Sequence, residues 1–227
     1  MHKEILEKYL NDPKVLYIYE IGLQIYGLFE GVEDRDFLLV CDNDYIPDFK
    51  DAQSSEEGLF GFEEIDNCRY SFRIIFIKDW FNEVLNNSML AWECACLPKK
   101  YILKEHVKLL LQTNPLALRK TYEAITINAL PYAVRLIEDG NTLTAQKSLW
   151  YLIKYVIFSN QIIENHKIVN FKEPMSSYKS VVDGTVSEMS VILRTFNEEM
   201  LPHLERFKKY TDGMLAKSKL KIINQDV

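Results

Sequence analysis

Apolar residues recur along this chain with two different periods. Up to Leu97 they fall mostly in short β-branched or aromatic runs, and beyond it they return every three to four positions. A short unbroken run or a two-residue alternation marks a strand, and a 3.6-residue period marks a helix. The first region therefore predicts a helix over residues 2–10, broken by Asn11-Asp12-Pro13, and strands over 15–21, 37–41 and 70–76. Residues 22–27 read as a turn into a short helix, and 46–64 as an acidic loop most mobile around Ser54 to Gly58. Residues 79–87 read as an amphipathic helix with Trp80, Phe81, Val84 and Leu85 on its apolar side. The second region predicts helices over 103–111, 115–139, 144–165 and 186–210, with Pro131 a candidate bend and no strand among them. The expected fold class is α+β: a mixed β-sheet domain with flanking helices over residues 1–97, followed by an all-helical domain over 98–227.

Composition supports a packed protein. Of 227 residues, 48% are hydrophobic and 12% aromatic, too much apolar surface to leave in water. Only 8 glycines and 7 prolines exclude collagen-like or linker-dominated chains. A formal net charge of −6 argues against a uniformly basic nucleic-acid binder. That average conceals a split, because residues 1–97 carry 20 acidic and 8 basic side chains, a net of −12, and residues 98–227 a net of +6. The charged start, Met1-His2-Lys3-Glu4, has no apolar core of a secretory signal, and no run reaches about 18 apolar residues, so a cytoplasmic protein without a membrane partner is expected. Cys94-x-Cys96 has the wrong spacing for a zinc knuckle, and the four histidines are dispersed, so reduced thiols and ordinary histidines are expected.

The chemistry concentrates in Gly22-Leu23-Gln24-Ile25-Tyr26-Gly27-Leu28 and the Glu33-Asp34-Arg35-Asp36 that follows. Positions i and i+2 of a strand share a face, so Asp34 and Asp36 can point into one cleft and share a divalent cation. Backbone N–H groups after Gly22 can meet a phosphate. Farther along, Lys147, Tyr151, Lys154, Phe158 and Gln161 recur at spacings of four and three and share one helical stripe. Such a stripe either presents its lysines to a triphosphate and a ring to the base, or is an ordinary wetted face.

With these residues in view, the chain resembles nucleotidyltransferases of the DNA polymerase β superfamily, whose signature is a Gly-Ser turn followed by Asp-x-Asp. Tyr17 to Leu28 with Asp34-Arg35-Asp36 is similar to the predicted nucleotidyltransferases associated with RNA repair. The resemblance implies catalytic and metal-holding roles for Asp34 and Asp36, with Mg²⁺ or Mn²⁺ as cofactor. It implies nucleotide contacts from Gly22, Leu23, Tyr26, Gly27, Lys147, Tyr151 and Lys154 in an interdomain cleft. It also implies an NTP substrate, ATP first, and transfer of a nucleoside monophosphate to a hydroxyl of RNA or protein. Two departures stand against activity: the motif serine is Leu23, and the third carboxylate aligns with Ile75, whose same-face neighbours Arg73 and Ile77 are not acids. The alternative is a catalytically inactive fold of this type, serving as a nucleotide sensor or as an antitoxin-like, protein-binding regulatory module. The lysines of the tail (Lys208, Lys209, Lys217, Lys219, Lys221) suggest either an RNA contact or a solvated helix end.

Overall fold

The apolar runs of the first region pair into one six-stranded sheet of order β3-β4-β5-β2-β1-β6. Its strands are β1 (Val15–Ile21), β2 (Arg35–Cys41), β3 (Gln53–Ser55), β4 (Gly58–Ile65), β5 (Cys68–Phe76) and β6 (Ile102–Glu105). The computed structural model describes residues 2–27, 35–47, 53–55, 58–65, 68–182 and 188–223. Two compact units result, Met1–Leu111 and Gln112–Val227. The β2–β5 pair is parallel and every other pair is antiparallel, so the sheet is mixed and the fold is α+β.

Helix α1 (His2–Asn11) covers one face of the sheet. There Leu6 and Tyr9 pack on Val15, Ile18, Phe37, Leu39, Phe72 and Ile74, the inward positions of three adjacent strands. Helices α2 (Ile77–Leu85) and α3 (Met89–Cys96) belong to the same unit. The Ser88 side chain caps α3 by accepting from Ala91 N at 3.1 Å. Tyr19 of β1 stands on the sheet face opposite the α1 core, with its ring 6.1 Å from Trp80 of α2. Tyr19, Trp80 and Trp92 are at most 2% exposed. Their phenol O–H and indole N–H groups make no hydrogen bond among the described residues, so apolar area holds this layer.

The second unit is helical: α4 (Pro115–Glu138), α5 (Thr142–Asn165), α6 (Met175–Val181) and α7 (Met189–Ile223). Asn114 caps α4 through Ala117 N at 3.1 Å, with Pro115 at the first turn, where its missing N–H removes no helical bond. Helix α5 forms the core of this unit and is buried on every side from Leu149 through Ile162 apart from Tyr151.

Three sequence expectations are corrected. The acidic loop over 46–64 contains β3 and β4, and α6 replaces an expected connection. The helix expected over 103–111 is instead the edge strand β6 followed by irregular chain, so the sheet unit continues past Leu97. Val107 and Leu110 supplied the helical spacing there, yet they are 61% and 85% exposed. Lys104 of β6 donates its Nζ to the Asp12 carbonyl at 2.7 Å, which fixes this edge strand to the turn after α1.

Candidate functional site

The chain leaves β1 through two glycines at positive φ. Gly22 sits at φ 94°, ψ −169°, and Gly27 at φ 79°, ψ 18°. Both conformations are strained for a side chain bearing Cβ. Between them Leu23–Tyr26 make one 3-10 turn, closed by Gly27 N donating to Gln24 O at 3.0 Å. Ile21 is paired with Asp36, so the exit of β1 and the start of β2 lie side by side. The Asp36 carboxylate consequently lies directly on Gly22, and a Cβ there would fall within contact of Oδ2. The Gln24 side-chain oxygen approaches the same point, 2.9 Å from where that Cβ would stand. Two oxygen donors therefore converge over the glycine.

This donor set suits a hard cation such as Mg²⁺, which often takes one or two protein oxygens and completes its shell with phosphate and water. Asp34, the other expected ligand, lies outside the described residues. A group of three acidic or otherwise ligating side chains does not occur among the described residues. Strand register explains why. Asp36 is level with Ser71 of β5, and the other β5 residues on its face are Arg69, Arg73, beside Leu38, and Ile75, beside Val40. On β4 that face carries Phe60, Phe62 and Glu64, two strands away from β2. Among the described residues, therefore, the two oxygens over Gly22 could hold at most one cation, and none of the strand positions beside them supplies a further carboxylate.

Tyr26, expected to touch nucleotide, is 3% exposed, and its hydroxyl donates to Glu93 Oε2 of α3 at 2.6 Å. It braces the glycine turn against α3. Glu93 is itself only 7% exposed, a carboxylate held in the interior by a short hydrogen bond. Leu23, Gln24, Gly22 and Asp36 are half-buried and Gly27 is exposed, so the turn presents its first residues outward. Gly22 supplies no capping side chain, and the first N–H groups of any such turn have no acceptor within it.

The stripe on α5 divides. Lys147 is half-buried and Tyr151 is 48% exposed. Lys154 is 7% exposed, its ammonium 4.8 Å from the Tyr151 ring centroid and 5.8 Å from that of Trp150. Phe158 is fully buried, edge-on to Phe171 at 5.5 Å. Gln161 clasps the segment after α5, accepting from Val169 N at 2.8 Å and Asn170 N at 2.9 Å and donating to Asn170 O at 3.1 Å. The far half of the stripe is thus core and loop anchor, and neither expected reading of it, ligand contact or wetted face, holds for Phe158 and Gln161.

Elsewhere, an open groove of about 640 Å³ runs along α4 beside Ile125, Ile127, Asn128, Pro131, Tyr132 and Arg135. Arg135 is the one charged side chain in its lining, so the groove itself offers no acid–base pair. All four cysteines are free thiols. Burial pushes the Cys41 thiol up to about 12 and that of Cys94 well above its usual range, so neither is a nucleophile at neutral pH. No helix among the described residues is long and apolar enough to cross a membrane.

No family model matches the sequence, and no curated protein matches it. Among solved structures the chain is similar to the crystal structure of a nucleotidyltransferase-like protein from Exiguobacterium sibiricum 255-15, with 10% identity and a TM-score of 0.34 over 95% of this chain and 78% of that one. An overlap that loose fixes neither an activity nor a site.

Proposed function

We propose that this chain binds a nucleoside triphosphate together with Mg²⁺ at the Gly22 turn, as a nucleotidyltransferase-type module that does not turn its nucleotide over. The observation that carries the reading is the seating of the Asp36 carboxylate on Gly22, with the Gln24 oxygen at the same point. A backbone position that excludes Cβ and adjoins a carboxylate is what close approach of a phosphate–metal pair requires. Asp36, and Asp34 beside it in sequence, would hold the cation, and the turn's outward N–H groups would meet phosphate oxygens. Bound Mg²⁺ supplies charge neutralisation for the phosphates.

Binding without transfer is favoured by the residues on the Asp36 face of β5. Activation of an attacking hydroxyl in phosphoryl transfer relies on a further carboxylate at the metal site. Ser71, Arg73 and Ile75 provide none, and the arginine adds positive charge to the strand next to Asp36. A regulatory role, sensing nucleotide or holding a protein partner, follows from that chemistry. The test is incubation of the full chain with α-labelled ATP, Mg²⁺ and either RNA or co-purifying protein. The expected result is nucleotide recovered intact, with no label transferred and no pyrophosphate. Label transfer abolished by Asp36→Ala would establish an enzyme and overturn this reading.

A further inference from the structure

We infer that the exposed face of α4 is a dimer interface, on which a second copy of this chain lays its own α4 antiparallel about a two-fold axis near Ala129. The groove along this helix is bordered by apolar residues that a wetted face does not need: Ile127 is 72% exposed, Tyr132 51% and Ile125 38%. Pro131, between them, is exposed as well. Single exposed apolar side chains are ordinary, but these four fall within residues 125–132 of one helix and border one groove.

The spacing along the face says what covers it. Two positions of a helix meet each other across an antiparallel two-fold when they lie on the same side of it and equally far from the axis. Lys120 and Glu138 are 18 residues apart, about five turns, and their midpoint is residue 129. Ile127 and Pro131, about one turn apart, share that midpoint. Ala124 with Arg135, about three turns apart, and Ile125 with Tyr132, about two, centre within half a residue of it. One axis therefore sets Ile127 against Pro131, Ile125 against Tyr132, the small Ala124 under Arg135, and Lys120 against Glu138, each twice. Lys120, Arg135 and Glu138 are exposed, and none of them is in an ion pair among the described residues. Residues 120–138 carry two basic and two acidic side chains, so no net charge keeps two copies of this segment apart. The face is apolar at its middle and complementary to itself in charge at its ends, and the opposed helix dipoles agree with that direction. Contact through one helix is small for a permanent interface, so the dimer should exchange with monomer.

The experiment is sedimentation velocity of the full chain over a range of concentrations, without ATP or Mg²⁺, so that its outcome is independent of the nucleotide reading. A monomer–dimer equilibrium is expected. Ile127→Glu, at an exposed position, should leave the melting curve of the monomer unchanged and abolish the dimer. Lys120→Glu sets two like-charge pairs across the axis and should weaken association about twofold to thirtyfold, the range for losing two exposed ion pairs. Glu138→Lys should do the same. Both changes together should restore association, because the two charges then trade places, and a face packed in another register would not show that rescue. A chain that stays monomeric at every concentration, association that Ile127→Glu leaves intact, or a double exchange no tighter than the single ones overturns the proposal. A monomeric chain that sheds a different co-purified protein in Ile127→Glu would give the face to that partner and overturn it equally.

Discussion

Two places in this chain are marked by spacing alone, the glycine turn with Asp36 in the sheet unit and the stripe from Lys147 to Gln161 in the helical unit. They differ in what the spacing means once folded. Strand parity and pairing bring Asp36 onto Gly22, leaving an oxygen-lined point with no space for a Cβ. Helical spacing in α5 aligns five residues on one side, but this helix is enclosed, and two of the five, Phe158 and Gln161, are packing and loop-anchoring groups. A periodic stripe identifies a shared face and says nothing about whether that face meets solvent or protein. The glycine turn carries more, because a positive φ and two side-chain oxygens meet at one backbone position.

The largest effect should come from the enclosed half of that contrast. Phe158→Ala removes a fully buried ring and its contact with Phe171, and should lower unfolding stability by about 3–5 kcal/mol in chemical denaturation. Nucleotide affinity of the folded fraction should be unchanged, and a loss of affinity at full folding would return the stripe to the site. In the sheet unit, Gly22→Ala forces Cβ into the Asp36 carboxylate at a positive φ, a strain of about 1–3 kcal/mol from the backbone alone. Here the prediction is inverted: the thermal midpoint falls modestly and ATP–Mg²⁺ binding is lost.

Smaller changes sharpen the same division. Tyr26→Phe deletes the brace to Glu93 and should destabilise by about 1–2 kcal/mol while weakening nucleotide binding through a looser turn. Calorimetric titration beside a melting curve separates those two consequences. The smallest effect concerns His203 of α7. Burial, with Arg206 nearby, holds its imidazole below the ordinary histidine range against the opposing pull of Glu173 and Glu199. Protonation is then easier in the unfolded chain, so the helical unit loses stability as pH falls below about 6.5, and none is lost above it. His203→Gln should flatten that acid-side decline, and an unchanged pH profile would assign it to other groups.

Much of the fold was legible because buried strands write themselves as apolar runs. β1, β2 and β5 are such runs, and β2 and β5, parallel neighbours, are apolar along most of their length. β4 was hidden by its own chemistry. Its α1-facing positions are Leu59, Gly61 and Glu63, and Glu63 is accommodated by Lys8 and the Tyr9 hydroxyl, a long-range arrangement that no local pattern announces. β6 is short, lies at the sheet edge, and precedes apolar residues that mimic a helical period. At the site, Gly22 and Asp36 could be paired from strand parity. The Tyr26–Glu93 contact spans 67 residues.

The account's central claim is that Asp36, seated on Gly22, holds the cation of a bound nucleotide. Isothermal titration of ATP into the full chain, with and without Mg²⁺, and into Asp36→Asn tests it most directly. The account predicts Mg²⁺-dependent binding in the unaltered chain that falls at least about tenfold in Asp36→Asn, as expected when one charged hydrogen-bonding or metal-binding group is neutralised. Absence of Mg²⁺-dependent binding, or affinity that Asp36→Asn leaves intact in a correctly folded protein, would contradict it.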